Sequence, residues 1–337
     1  MKRLAALLTA LLLGAGSAES WCVAVWYPSS DHAGGSAALE DNLDVIDIVY
    51  PFWFTPTGDG RILSQAGSSW QERTARWQEG GALVLPSVFS TLSGFLKEPE
   101  VSSHLAELLE LAEENGFDGL DIDYEMFPLS TLEPFADFIE RLADGLHARG
   151  LLLSVTVHAK THDTDAPESA RAQDWRRLAA AADIFNLMTY DWTNRTEPPG
   201  PVAPVSWVSE VVGYALSKAE PEKIFVGVPF YGYSWQRGRP PATTTNWEAA
   251  ERMVSSFDLE PERDADSGEL LIDLDVRGLA RQTITMSDAT TLEARLQALP
   301  RDLGGVAVWG LGGEDPLNWH VLREQRPASC DAERFRQ

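Results

Sequence analysis

The stretch Asp118-Gly119-Leu120-Asp121-Ile122-Asp123-Tyr124-Glu125 places three carboxylates at alternate positions, with Leu120, Ile122 and Tyr124 interleaved. Alternate side chains of a β-strand share one face. One face of this strand is therefore wholly acidic and the other wholly apolar. Like charges on one face repel each other and are costly to take out of water, so stability alone does not favour the pattern. Gly119, at the start of the run, allows a neighbouring backbone to approach closely.

Similar β-branched and apolar runs recur on either side of it: Cys22–Pro28, Val45–Phe54, Leu83–Phe89, Leu151–Lys160, Ile184–Trp192, Ile224–Gly232 and Gly305–Gly312. Several are apolar almost throughout, as expected of parallel strands covered by helices. Helix-like segments separate them at Val101–Asn115, Leu132–Arg149, Ala170–Ala182 and Val205–Ala219, and a further helix is expected near Thr291–Leu299. Eight evenly spaced β-α units predict an α/β fold closed as a (β/α)8 TIM barrel, with the acidic run as its fourth strand. No glycine-rich phosphate loop follows the first strand, so an open nucleotide-binding sheet lacks local support. The connection from Tyr233 to Leu303 is too long for one helix. Its polar middle and its hairpin-like pieces, Leu270–Leu274 and Thr283–Met286, predict a small insertion within 233–290 at the barrel mouth.

Lys2 and Arg3, the apolar run Leu4–Leu13 and the small residues Gly16-Ser17-Ala18 follow the pattern of a secretory signal peptide over residues 1–18, leaving a single domain over 19–337. Export is the expectation: extracellular, periplasmic or at the cell wall. Cys22 and Cys330 are the two cysteines, and an oxidising compartment would let them pair; the alternative is two unrelated thiols. The balance of 51 Asp and Glu against 27 Lys and Arg argues against nucleic acid and anionic membrane as partners. Later apolar runs are soon broken by charge, Pro or Gly, so no spanning segment is expected, and the protein is expected to be a soluble monomer.

In a barrel of this kind the C-terminal strand ends carry the chemistry, and Glu125 closes the fourth strand. Asp121, Asp123 and Glu125 would then rise as an inward ladder toward that face. Stacked carboxylates share protons, and at least one titrates high. Glu125, the outermost, suits a general acid; Asp123 could orient a substrate group, and Asp121 could hold a proton exchanged with it. Two other roles fit the same residues. One is a hard-cation site. The other is a structural strand neutralised by basic neighbours, although the sixth strand offers none and the fifth ends in His158 and Lys160. His158 and His162 stand four apart without a third ligand in view, so no metal site and no cofactor is expected. Asn194-Arg195-Thr196 is a glycosylation sequon.

Asp118–Glu125 resembles the DGxDxDxE signature of family 18 glycoside hydrolases, the chitinase-like enzymes, at every fixed position. Met188-Thr189-Tyr190-Asp191 is similar to that family's MxYD motif on the sixth strand. Pro229-Phe230-Tyr231-Gly232 ends the seventh, and Trp309 lies on the eighth, where the family places a tryptophan under the sugar. Gly200–Pro204 with Trp207, and the compact insertion, resemble the spore-cortex and cell-wall branch. Pro86-Ser87-Val88-Phe89-Ser90 replaces the SxGG of many chitinases, which weakens the case for crystalline chitin.

The resemblance implies a retaining hydrolase of polysaccharides or oligosaccharides containing N-acetylglucosamine, without a cofactor, in which the substrate's own acetamido group is the nucleophile. Chitin-type polymers, peptidoglycan and N-glycan cores are the alternatives, with a non-catalytic sugar-binding barrel as a further one. The implied roles are Glu125 as acid and base, Asp123 as the group that orients the acetamide, and Tyr190 as its hydrogen-bond partner. Trp309, Asp191, Met188 and Tyr231 are implied sugar contacts. Tyr27 and Trp53, at the ends of the first two strands, are weaker aromatic candidates. Asp118 is out of phase with the ladder and is expected to make a structural hydrogen bond.

Overall fold

The computed structural model describes residues 21–28, 34–326, 330, 334 and 335. Residues 1–18, where a signal peptide is expected, lie outside them. Among the described residues eight parallel strands close a barrel: Cys22–Tyr27, Ile48–Pro56, Ser87–Ser90, Gly119–Tyr124, Leu152–His158, Ile184–Met188, Ile224–Pro229 and Gly305–Trp309. Each pairs in parallel with the next, and the eighth pairs with the first through Cys22↔Gly305 to Val25↔Val308. The third strand is interrupted: Leu83–Val84 pairs first, and Ser87 resumes after Pro86, which has no N–H to give to a ladder. Gly119 lies so close to the fifth strand that an added Cβ would meet the Leu152 carbonyl oxygen at 2.0 Å.

Alternation along the strands builds two layers. Outward residues such as Leu120, Ile122, Tyr124, Val155 and Val157 pack against the helices Glu100–Glu114 and Leu132–His147. Phe135, Phe138 and Tyr124 form one aromatic group there. Inward residues change character with height. Cys22, Ile48, Leu83, Leu152, Ile184 and Phe225 plug the N-terminal end with apolar volume. Above them Ser87, Asp121, Ser154, Thr156 and Asn186 make a buried polar tier.

Cys22 and Cys330 are joined as a disulfide across 308 residues of sequence, with their Cα atoms 4.8 Å apart. No helix among the described residues is long and apolar enough to cross a membrane.

Between the seventh and eighth strands, Gly232–Gln236, Thr243–Thr245, Glu262–Arg263, Leu270–Leu274 and Gln282–Met286 form a separate antiparallel sheet, covered by the helix Trp247–Phe257. That helix escapes a reading of local polarity because only Ala250 is buried on it. Asn246 caps its start by accepting the Ala249 amide at 2.9 Å. The helix Trp70–Glu79 between the second and third strands, and Leu317–Gln325 after the eighth, also go beyond the sequence-based expectation.

Candidate active site

The fourth strand delivers its carboxylates at three heights. Asp121, lowest and fully buried, is the hub of the polar tier. It accepts hydrogen bonds from Trp26 Nε1 at 3.2 Å, Ser87 Oγ at 2.6 Å, Ser154 Oγ at 2.8 Å and Thr156 Oγ1 at 3.0 Å, so four donors from the first, third and fifth strands converge on it. Burial pushes its carboxyl up from the ordinary carboxylate range, and these donors oppose that rise.

Asp123, one step higher, is the opposite case. Its Oδ1 is buried and has no hydrogen-bond partner among the described residues. Burial, then the charges of Glu125 and Asp121, push its carboxyl well up. Glu125 stands at the mouth, where burial first and the Asp191 charge second raise it to about 7. Glu125, at about 7, thus stands above an Asp123 whose carboxyl is also pushed up by burial and like charge, the condition under which one group donates a proton while the other stays poised.

The sixth strand brings the next two groups. After Met188 the chain leaves the ladder, and Thr189 Oγ1 donates to the Gly227 carbonyl at 2.7 Å, which pins the turn to the seventh strand. Tyr190 then lies against Gly227, where an added Cβ would meet its Cε1 at 2.8 Å. Burial and the charges of Asp123, Glu125 and Asp191 keep the Tyr190 hydroxyl protonated. Asp191 has φ of 58°, in the left-handed region. Its Oδ1 accepts the hydroxyls of Tyr231 and Tyr233, the latter at 2.8 Å, so the insertion fixes a carboxylate at the mouth.

These groups open into a cleft of about 1000 Å³. Trp309, Trp26, Phe52 and Phe89 supply its aromatic surface, with Trp309 edge-on to Trp26 at 6.2 Å between ring centroids and tilted against Phe52 at 5.5 Å. Met188, Asp123, Glu125, Tyr190, Asp191 and His158 line it as well. Trp192, 53% exposed, and Trp207 form a facing pair 5.2 Å apart at its rim.

Several expected site residues lie elsewhere. Tyr27 and Trp53, each 1% exposed, point outward into the helix layer, packed on each other and on Trp77 with the Arg73 guanidinium over both rings. Their strand neighbours Trp26 and Phe52 are the ones that face the cleft. The first two strands are apolar on both sides, so alternation gave no cue to parity there. Tyr231 does not line the cleft and reaches the site through its hydrogen bond to Asp191 and its edge-on contact with Tyr190, and Asp121 lies below the cleft wall. Asp118 accepts the Val84 amide and Gln78 Nε2, both at 2.9 Å, tying the third and fourth strands together.

The family described as Glycosyl hydrolases family 18 matches residues 90–314, two thirds of the chain, including every one of the carboxylates above. This chain belongs to that family. Among its relatives, a cortical fragment-lytic enzyme of Bacillus subtilis (strain 168) is 27% identical over 226 residues, covering 66% of this chain and 52% of that protein. The chain spans about half the length of the curated relatives it matches first. The solved chitinase of Chromobacterium violaceum superposes with a TM-score of 0.83 at 24% identity, over 91% of this chain and 99% of that one. The spore cortex-lytic enzyme SleL of Bacillus cereus gives 0.81 at 20% identity, over 92% and 75%. These two likenesses concern the fold alone.

Proposed function

We propose that this protein is an exported, monomeric retaining glycoside hydrolase that cleaves β-linked N-acetylglucosamine polymers with the help of the substrate's own acetamido group. The observation that carries this reading is the buried, unpartnered Oδ1 of Asp123 directly below a Glu125 that titrates at about 7. An orphaned polar atom at the wall of a cleft is a position waiting for a donor, and the N–H of a 2-acetamido group is such a donor. Glu125, protonated over much of the neutral range, gives its proton to the glycosidic oxygen as the bond to the anomeric carbon breaks. The acetamido oxygen closes on that carbon to form an oxazolinium ion. Asp123 takes the acetamide N–H and offsets the positive charge, while the Tyr190 hydroxyl holds the acetamido oxygen in line. Pre-alignment of an internal nucleophile is worth several kcal/mol. Glu125, now a carboxylate, removes a proton from water, whose oxygen adds to the anomeric carbon as its bond to the acetamido oxygen breaks, which regenerates the acetamide and restores the original anomer. Trp309 offers a flat apolar face to the pyranose.

The Cys22–Cys330 disulfide and the signal-like residues 1–18 support export. The cleft is complete within one chain, which supports a monomer. Glu125, Asp123 and Tyr190 together favour turnover over sugar binding alone. Peptidoglycan is the second reading for the polymer, supported by the lytic relative from Bacillus subtilis and by the Gly200–Pro204 loop with Trp207.

The direct test compares an N-acetylglucosamine oligomer with the corresponding glucose oligomer, which has a hydroxyl in place of the acetamido group. Turnover of the first with initial release of the β-anomer, and none of the second, is expected by NMR. Equal cleavage of both would remove the substrate-assisted mechanism. Product analysis on chitin oligomers, peptidoglycan and N-glycans assigns the polymer.

A further inference from the structure

His158 ends the fifth strand beside the mouth and has no part in the mechanism above. Its Nε2 lies 3.7 Å from Glu125 Oε2, with both side chains about one-fifth exposed. The distance is too long for a hydrogen bond as it stands, and a small rotation of either side chain closes it. The ring's placement is built from the backbone outward. The His158 amide donates to Gln173 Oε1 at 2.9 Å, and Gln173 Nε2 donates to the Tyr124 carbonyl at 3.2 Å. One buried glutamine thus ties the end of the fifth strand to the residue just before Glu125. Directly after Glu125 the chain enters the left-handed region at Met126, with φ of 58°, and the Met126 amide faces His158 Nε2 at 3.5 Å. A backbone N–H can only donate, so Nε2 is the accepting nitrogen and the ring proton sits on Nδ1. Its lone pair has only that weak contact, and the hydroxyl of a protonated Glu125 is the stronger donor.

We propose that His158 is a positioning residue for the acid: before substrate binds, its Nε2 accepts a hydrogen bond from the Glu125 carboxyl O–H, which holds the group in its cleft-facing rotamer and favours its protonated form until that O–H turns to the glycosidic oxygen. This rests on the reading of Glu125 as general acid. Burial holds His158 down to about 4, so at neutral pH it is a neutral acceptor and not the cationic half of an ion pair. The charged and titratable groups lining the cleft with the pair are Asp123 on the same strand as Glu125, Asp191 and Tyr190 after the sixth strand, Lys160 two residues beyond His158, and three more. Those three are His162 and Asp165, which pair with each other at 3.4 Å, and Glu197, which accepts the Asn194 amide at 2.9 Å. The Lys160 ammonium is turned away, held by Asp163 at 2.9 Å and by the carbonyls of Gln173 at 2.6 Å and Ala170 at 3.1 Å. Among these groups His158 is the neutral nitrogen acceptor facing Glu125. Hydrogen bonding to a neutral acid raises its pKa.

The test uses two substrates with the same N-acetylglucosamine glycone, one with a sugar leaving group and one with 4-nitrophenolate, which departs with little protonation. For His158→Ala, kcat on the sugar leaving group should fall about tenfold with KM little changed, a modest share of what general acid catalysis supplies. The loss on the nitrophenyl glycoside should be several-fold smaller, and the basic limb of kcat/KM should move to lower pH. His158→Gln, whose amide oxygen can accept, should recover most of the loss. Should the alanine variant not fold, His158→Asn, polar but too short to reach Oε2, carries the same test. Equal losses on the two substrates with an unmoved basic limb, or no loss at all, would overturn the proposal. Glu125→Gln is run in parallel. If it still cleaves the sugar-leaving substrate, the assignment of the acid itself fails; if it is inactive while the His158 variants behave as purely structural changes, only the positioning role fails.

Discussion

Asp123 and Glu269 are both buried carboxylates, the first on the cleft wall and the second away from it, and they could hardly be treated more differently. Glu269 is 0% exposed, accepts the amides of Val202 at 2.7 Å and Ala203 at 2.9 Å, and is paired with the Arg295 guanidinium. Arg295 in turn donates to the Ala203 carbonyl at 3.0 Å and to Ser287 Oγ at 2.6 Å. That set of charges is balanced, and it fastens the Gly200–Pro204 loop to the insertion and to the helix Ala289–Ala298. Among the described residues Asp123 has carboxylates for neighbours, an orphaned oxygen and no cation paired with it. The first arrangement holds a loop in place. The second stores an unmet demand that a substrate can satisfy. A buried charge is thus read by its partners, and not by its burial.

The comparison can be broken most severely at Asp123. Asp123→Asn should lower kcat roughly 100- to 1000-fold, the range seen when one electrostatic contact to a transition state is removed, yet melt no lower than the parent because the amide has no charge to bury. A matching loss of stability on thermal melts would put Asp123 in the structural class with Glu269. At the other pole, Glu269→Gln leaves Arg295 buried without its counter-charge and should cost about 3–5 kcal/mol of unfolding free energy in urea titrations. The kcat of its folded fraction should be nearly kept. Loss of activity without loss of stability would erase the distinction.

A smaller effect sharpens the contrast through pH. In the fold Glu125 titrates at about 7 instead of 4.5, so between those values the folded protein holds a proton that the unfolded chain has released. The group therefore contributes most at low pH, and unfolding free energy falls as pH rises from 4.5 to 7, by roughly 3 kcal/mol. His158 has the opposite sign: its depressed pKa makes stability rise between about 4 and 6.5, in parent and variant alike. The difference between the parent and Glu125→Gln reports the acid together with its coupling to Asp123. The variant should gain on the parent across the upper window in urea titrations at pH 4.5 and 7.5. A constant difference would mean that Glu125 titrates normally.

Much of this was legible without coordinates. Eight apolar runs spaced by helix-like segments suffice for a closed barrel, because parallel strands buried on both faces have few other ways to be covered. The carboxylate alternation placed Asp121, Asp123 and Glu125 on one inward face, since period two is fixed by the pleat. Where the pattern was silent, the reading failed. On the first strand the choice of Tyr27 over Trp26 turned on parity, and a run buried on both sides carries no parity signal. Trp53 against Phe52 repeats the case. The insertion's helix was hidden because its exposed face dominates its composition.

The sequence by itself determined the barrel, the acidic face of the fourth strand and the motif that marks the family, because local periodicity and strand order are written in neighbouring residues. Tertiary structure alone decided which carboxylate keeps partners and which lacks them. It brought four donors to Asp121, a guanidinium to Glu269, two tyrosine hydroxyls to Asp191 and the imidazole of His158 to Glu125. Residues that meet in these contacts stand tens of positions apart in the chain. The chemistry of an ionisable group depends on its dielectric surroundings and nearest charges, and only closure of the barrel supplies both.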